Sequence, residues 1–169
     1  MSSTTDAGAR TAAVLTVSDS VMGGSRQDRS GPAVAEALEK AGYRVVRREA
    51  VPDERNHIEN ALVGLCEQAR LVVTTGGTGV ATRDVTPEAT LSICDREVRG
   101  IGERMRAEGV KKTPLAALSR AICATRGTSL VLNLPGSPQG ATESLAAVID
   151  LLPHALDLLA GKTAHSESK

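Results

Sequence analysis

Two aspartates and a run of glycines carry most of the chemistry that this chain could do. Asp84 lies five residues beyond the loop Gly76-Gly77-Thr78-Gly79, and Asp53 lies between an apolar segment and a helically patterned one. A glycine-rich loop can bring several backbone N–H groups against one anion. One or two carboxylates beside bound phosphates suit Mg²⁺, whose remaining ligands are waters and substrate oxygens. Together these groups fit phosphoryl or nucleotidyl transfer, in which a protein supplies position and charge neutralisation. No nucleophile elbow, paired Cys–His or serine triad offers covalent chemistry instead. Each residue also has a plainer reading. Asp53 fits a helix N-cap, Asp84 fits a solvated loop carboxylate paired with Arg83, and glycine-rich strand-to-helix loops are common connectors. The residue types alone leave both readings open.

The loop is neither a dinucleotide GxGxxG pattern nor a P-loop. Gly161-Lys162-Thr163 imitates the end of a P-loop, but the glycine needed five positions earlier is Leu156. Gly161 therefore reads as the glycine that closes a helix.

The elements around these residues position them. Residues 71–75 (LVVTT) are short, β-branched and apolar on both faces, as in a buried parallel strand. After the glycine loop, Thr86-Pro87-Glu88 predicts a helix start, with Thr86 as N-cap and Pro87 in the first turn. Residues 12–18 read as a first strand and 19–30 as a polar loop with two arginines. A helix follows from 31 to about 42, then a strand over 43–51. Asp53 stands ahead of a helix with Ile58, Leu62, Leu65 and Ala69 at helical spacing. Gly100 marks a break, and 101–108 is weakly helical. Thr113-Pro114 predicts a further helix with Leu115, Leu118 and Ile122 on one side. Residues 129–134 (SLVLNL) form a fourth core strand, and 138 to about 160 is helical with a break near Pro153. Strands alternating with helices predict a three-layer α/β domain with a mostly parallel central sheet flanked by helices. In such sheets ligands bind beyond the carboxyl ends of the strands. Four loops fall there, at 19–30, 52–53, 76–84 and 135–138.

Composition narrows the function. Of 169 residues, 20 are Lys or Arg and 20 Asp or Glu, so the formal charge is zero, and there is one Tyr with no Trp or Phe. The basic surplus and the aromatic stacking platforms of nucleic-acid binders are both missing. No apolar run reaches membrane-spanning length and residues 1–10 lack a signal-peptide core, so a cytoplasmic protein is expected. Cys66, Cys94 and Cys123 are far apart in sequence and form no metal or disulfide pattern with each other or with the histidines; Cys66 shares a helical stripe with Leu62 and reads as an inert core thiol. A lead over 1–11, one domain over 12–162 and a tail over 163–169 are expected, with both ends disordered.

TVSDS at 16–20, DRSGP at 28–32, VPDE at 51–54, TTGGTG at 74–79, RDVTPEAT at 83–90, LSR at 118–120 and LPGSP at 134–138 resemble the molybdopterin adenylyltransferase family. That family comprises single-domain bacterial enzymes and the matching domain of plant and animal molybdenum-cofactor fusion proteins. The resemblance spans about residues 12–160. It implies Mg²⁺-dependent transfer of AMP from ATP to the terminal phosphate of molybdopterin, with pyrophosphate released. It also implies a homotrimer, and delivery of the product to a separate metal-insertion protein. Carried onto this chain, the family's catalytic and metal-binding carboxylates fall on Asp53 and Asp84. Gly76, Gly77, Thr78 and Gly79, with Ser119 and Arg120, would line the molybdopterin site. Ser18, Asp19, Pro135, Gly136 and Ser137 would help hold the nucleotide. A rival reading within the same fold is a non-catalytic molybdopterin-binding or scaffold protein. Such relatives tend to lose the two carboxylates, which are both present here.

Overall fold

β-branched and leucine-rich segments pair into one six-stranded sheet in the computed structural model, which describes residues 10–163. Apart from Arg10, Thr11 and Thr163, the lead and tail read from the sequence lie outside those residues. The strands are β1 (Thr11–Val17), β2 (Arg44–Val51), β3 (Leu71–Thr75), β4 (Arg96–Glu97), β5 (Cys123–Arg126) and β6 (Ser129–Leu134), in the order β2-β1-β3-β6-β5-β4. β2, β1, β3 and β6 run parallel, while β5 and β4 are antiparallel additions. The helices are α1 (Asp19–Met22), α2 (Ser30–Lys40), α3 (Arg55–Gln68), α4 (Thr86–Ile93), α5 (Arg99–Val110), α6 (Pro138–Val148) and α7 (Leu152–Leu159).

Every residue of β1, β3 and β6 is buried, so these strands are covered on both faces. Alternation divides their side chains between two cores. Val14, Val73 and Leu132 meet α2, α5, α6 and α7 on one face. Leu15, Val72 and Val131 meet α3 and α4 on the other. The domain is the expected three-layer α/β sandwich. From β1 the chain steps one way to β2 and then back across to β3, so the order reverses between β1 and β3. Open parallel sheets have their binding crevice at that switch point.

Several local expectations differ. The loop after β1 contains one helical turn, α1, because the Ser18 hydroxyl accepts a bond from Val21 N–H at 3.2 Å. Gly100 does not break the chain; it lies in the first turn of α5. The helix expected after Thr113 is a short 3₁₀ turn over Pro114–Leu118, with Leu115 70% exposed and Leu118 53% exposed. Ser119 is extended, Arg120 N–H bonds to Thr78 O at 2.8 Å, and the next residues become β5. Tertiary pairing thus overrides a helical spacing of Leu115, Leu118 and Ile122. β5 turns into β6 through Gly127-Thr128, with Arg126 paired to Ser129. Gly161 lies just past α7, as expected of a closing glycine.

At the end of β3 the backbone leaves no room for a side chain. Gly76 has φ 95°, and a Cβ there would stand 2.2 Å from the Val17 carbonyl oxygen. Replacing Gly76 with Ala adds left-handed strain of ~1–2 kcal/mol and an overpacking cost of ~1–3 kcal/mol. Urea unfolding of Gly76→Ala is therefore expected to show a loss of about 3 kcal/mol. A variant as stable as the parent would mean that β1 and β3 do not meet this closely at the switch point.

Candidate functional site

Because β1, β2, β3 and β6 are parallel, the four loops at their carboxyl ends meet at one rim. A cleft of about 390 Å³ opens there, lined by residues from all four loops, including Ser18, Asp53, Gly76, Asp84 and Ser137. Loops after β3 and β6 touch backbone to backbone, and a Cβ on Gly136 would stand 3.3 Å from Gly76 Cα.

Asp53 does not cap α3. That helix begins at Arg55 with Glu54 before it and no side-chain cap. Instead Asp53 Oδ2 accepts from Asp19 N–H at 2.8 Å, and Asp53 N–H donates to Asp19 Oδ1 at 3.0 Å. This reciprocal pair joins the loops after β1 and β2. Arg83 does not pair with Asp84; it makes a two-point contact with Asp19, Nε to Oδ2 at 2.6 Å and Nη2 to Oδ1 at 2.9 Å. Those hydrogen bonds hold the Asp19 carboxyl below its ordinary range. Asp84 Oδ2 accepts from Ala81 N–H at 3.0 Å. Asp53 and Asp84 thus each have one oxygen anchored by a backbone amide and an Oδ1 with no donor among the described residues. A carboxylate fixed by one oxygen and open at the other is suited to a divalent cation, and two of them match the needs of Mg²⁺. Burial pushes the Asp53 carboxyl above its ordinary range, and the charges of Asp19 and Asp84 push the same way, against the opposing Asp19 N–H bond.

Thr86 serves the site in an unforeseen way. It is the first residue of α4, not its cap, and its buried hydroxyl donates to Gly76 O at 2.9 Å while its N–H donates to Gly77 O at 3.1 Å. A Cβ on Gly77, at φ 67°, would stand 2.2 Å from that hydroxyl oxygen. The network continues inward through Thr90, which donates to Thr86 O at 2.9 Å and accepts from Asn133 Nδ2 at 3.0 Å. Asn133 Nδ2 also donates to Thr74 at 3.1 Å.

Across the glycine loop lies a second, more apolar cavity of about 600 Å³, lined by residues including Thr78, Gly79, Met105, Leu118 and Ser119. Gly136 and Ser137 line both spaces, and Pro135 lines the second. Gly76 and Gly77 face the cleft and Thr78 and Gly79 the cavity, so the loop is their common wall. Of the residues singled out from the sequence, Asp19 and Arg120 line neither space. Two residues not singled out, Arg26 and Arg29, are the basic side chains of the cleft, and neither has an acidic partner among the described residues. Their place in the arginine-bearing loop after β1 was the available signal. Asp28 between them is committed to structure, accepting from Thr16 Oγ1 at 2.7 Å and Gly31 N–H at 3.0 Å.

No group of three or more metal-binding side chains occurs among the described residues. Cys66 is half-buried, and burial raises its thiol to about 11; Cys94 and Cys123 are raised to about 12 by the same cause. None is a nucleophile near neutral pH.

A switch-point crevice with two part-anchored carboxylates and a glycine wall stands where open parallel α/β sheets bind their ligands. The chain belongs to the family described as "probable molybdopterin binding domain", whose model matches residues 13–154. It is 43% identical over 152 residues to the molybdopterin adenylyltransferase of Helicobacter pylori J99, covering 88% of this chain and 86% of that protein. It is 40% identical over 149 residues to the Drosophila melanogaster molybdenum cofactor synthesis protein cinnamon, covering 86% of this chain and 25% of the longer protein. Its fold matches the crystal structure of the molybdopterin biosynthesis enzyme MoaB from Thermus thermophilus with a TM-score of 0.85 and 50% identity, covering 90% of this chain and 97% of the other.

The raised Asp53 carboxyl has a consequence for stability. A carboxyl that is harder to ionise when folded favours the folded state below its unfolded value and loses that contribution as pH rises through the folded one. At neutral pH, Asp53→Asn removes a charge that is repelled by its neighbours and keeps an oxygen for Asp19 N–H. Its melting temperature at pH 7 is expected to equal or exceed that of the parent, with the difference shrinking on acidification. A clearly lower melting temperature at pH 7 would make Asp53 a structural anchor.

Proposed function

We propose that this chain transfers AMP from ATP to the terminal phosphate of molybdopterin, with Mg²⁺ held by Asp53 and Asp84. The observation that carries this reading is the pair of unlike spaces on either side of one glycine loop, with both carboxylates on the polar side. The cleft suits the triphosphate, with Ser18, Gly136 and Ser137 beside the nucleotide. The apolar cavity suits the pterin, with Thr78, Gly79 and Ser119 beside it. The two phosphates to be joined then meet along residues 76–79.

A terminal phosphate oxygen of molybdopterin attacks the α-phosphorus of ATP. A new P–O bond forms, the bond to the β-phosphate oxygen breaks, and pyrophosphate leaves with that electron pair. The nucleophile is an anionic phosphate monoester, so no strong general base is required. Bound Mg²⁺ supplies neutralisation of phosphate charge. The glycine-loop amides orient the reacting phosphates, and Arg26 and Arg29 offset charge on the leaving pyrophosphate. Asp53 and Asp84 hold the negative charge that places the cation, while Asp19 is neutralised by Arg83 and stays out of that role.

The non-catalytic scaffold reading is not favoured, because the charge and the free oxygens that catalysis needs are retained at both positions. No helix among the described residues is long and apolar enough to cross a membrane. Cytoplasmic residence, a homotrimer using aliphatic surface such as exposed Leu115, and transient delivery of product to a metal-insertion protein complete the proposal. The near-absence of aromatics and zero net charge argue against a nucleic-acid partner.

Purified protein with molybdopterin and ATP is expected to form adenylyl-molybdopterin and pyrophosphate in equal amounts when Mg²⁺ is added, and none in excess chelator. Asp84→Asn is expected to lower kcat by ~100-fold or more while molybdopterin still binds, because placed charge counts mostly in the transition state. Tight molybdopterin binding without AMP transfer under any divalent metal would instead support the scaffold. Arg26→Ala and Arg29→Ala should each raise KM for ATP or lower kcat; normal kinetics in both would remove the arginines from the site.

A further inference from the structure

Arg120 lines neither space, yet its side chain is among the most heavily bonded in the chain. Nε donates to Gly79 O at 2.7 Å, Nη2 donates to Asp84 O at 2.7 Å, and Nη1 donates to Glu88 Oε1. Its own N–H donates to Thr78 O at 2.8 Å. The guanidinium therefore grips both ends of the segment from Gly79 to Asp84. Within that segment the bonds are local, Asp84 N–H to Ala81 O at 3.0 Å and Ala81 N–H to Asp84 Oδ2 at 3.0 Å. They shape a turn but do not fix it to the sheet. Val80 at the turn is 68% exposed, so apolar packing does little to hold it. Arg83 ties the turn to Asp19, through an exposed pair. A second link between this turn and the body of the domain is the part-exposed Arg120, which leads into β5 and reaches both ends of the turn, with Glu88 on α4 holding its outer face.

We propose that Arg120 and Glu88 act as a positioning pair, in which the planar fork of Arg120 closes the Gly79–Asp84 turn and so sets where the Asp84 carboxylate stands in the cleft. Arg120 then works through Asp84 and not as a direct phosphate ligand. The assignment rests on the reading that Asp84 holds the divalent cation. It requires an arginine, since three acceptors in three directions need a rigid fork and a lysine ammonium cannot span them. It also explains a carboxylate at position 88. Burial raises the Glu88 carboxyl, but the bond and charge of Arg120 outweigh that and hold it below its ordinary range, so it stays ionised against the guanidinium.

Arg120→Lys and Glu88→Gln test this in the full chain, alongside Asp84→Asn. The readouts are Mn²⁺ binding followed by electron paramagnetic resonance of the free ion, molybdopterin affinity, kcat, KM and melting temperature. Arg120→Lys is expected to weaken Mn²⁺ binding and lower kcat by ~10-fold each, with molybdopterin affinity within ~2-fold of the parent. Glu88→Gln should shift the same two quantities in the same direction by less. In an Asp84→Asn background, Arg120→Lys should leave Mn²⁺ binding unchanged, because both changes act through one carboxylate. Loss of molybdopterin affinity by ~10-fold with normal Mn²⁺ binding would overturn the proposal and make Arg120 a substrate ligand. A lower melting temperature with all three functional quantities unchanged would also overturn it and leave the pair as a structural fastening. A parent protein that binds no Mn²⁺ would overturn the metal reading of Asp84 and this assignment with it. A parent that binds Mn²⁺ but transfers no AMP would refute the transferase reading alone, and the binding data would still decide the role of Arg120.

Discussion

The rim of this domain depends on how closely three backbones approach one another. Gly76 turns at the end of β3 directly against the Val17 carbonyl at the end of β1, and Gly136 lies against Gly76. No side chain fits between them. That contact sets the glycine loop on the switch point of the sheet, with its first two residues facing a polar cleft and its next two an apolar cavity. A bulkier junction would push the loops apart and separate the two spaces. The buried polar chain from Asn133 through Thr90 and Thr86 to the Gly76 carbonyl holds the loop from beneath. Asn133 donates both of its bonds into this network, while its buried Oδ1 has no partner among the described residues.

Charge is arranged on this frame with the same economy. Four aspartates crowd the rim, which would be mutually repulsive if all were free; Asp28 spends both oxygens on Thr16 and Gly31. Arg83 neutralises Asp19, and Asp19 then serves as a connector whose backbone and carboxylate hold Asp53 in place. Among the described residues, two carboxylates remain with an open oxygen each, beside two arginines without acidic partners. Negative charge for a cation and positive charge for phosphates thus line one cleft. That combination suits a reaction whose main barrier is repulsion between polyanions.

Much of this was legible in the sequence because it followed from periodicity. LVVTT and SLVLNL read as buried parallel strands, α2 and α3 as amphipathic helices, and parallel order alone predicted that four loops would share a rim. The bonds of individual side chains were not legible. Asp53 and Thr86 stand where caps are expected, yet Asp53 bonds across to the loop after β1 and Thr86 bonds back to the glycine loop, while Ser18, read as the end of a strand, caps a helical turn. Capping statistics cannot see a partner 34 residues away. The antiparallel β5 was hidden because Leu115, Leu118 and Ile122 imitate one helical face. Gly127-Thr128 between CATR and SLVL was the hairpin signal that could have revealed it. The role of Arg120 was also out of reach, since its acceptors are mostly carbonyls and backbone oxygens leave no mark in residue type.

In the proposed reaction two substrates lie on opposite sides of the glycine loop and their phosphates are joined across it. A crystal structure of the protein with adenylyl-molybdopterin bound, in the presence of a divalent metal, would show this arrangement. The adenosine is expected in the cleft by Ser18, the pterin in the cavity by Met105 and Leu118, and the bridging phosphates over Gly76–Gly79 with the metal held by Asp53 and Asp84. A product lying wholly within one of the two spaces, or with its phosphate bridge away from the glycine loop, would contradict it.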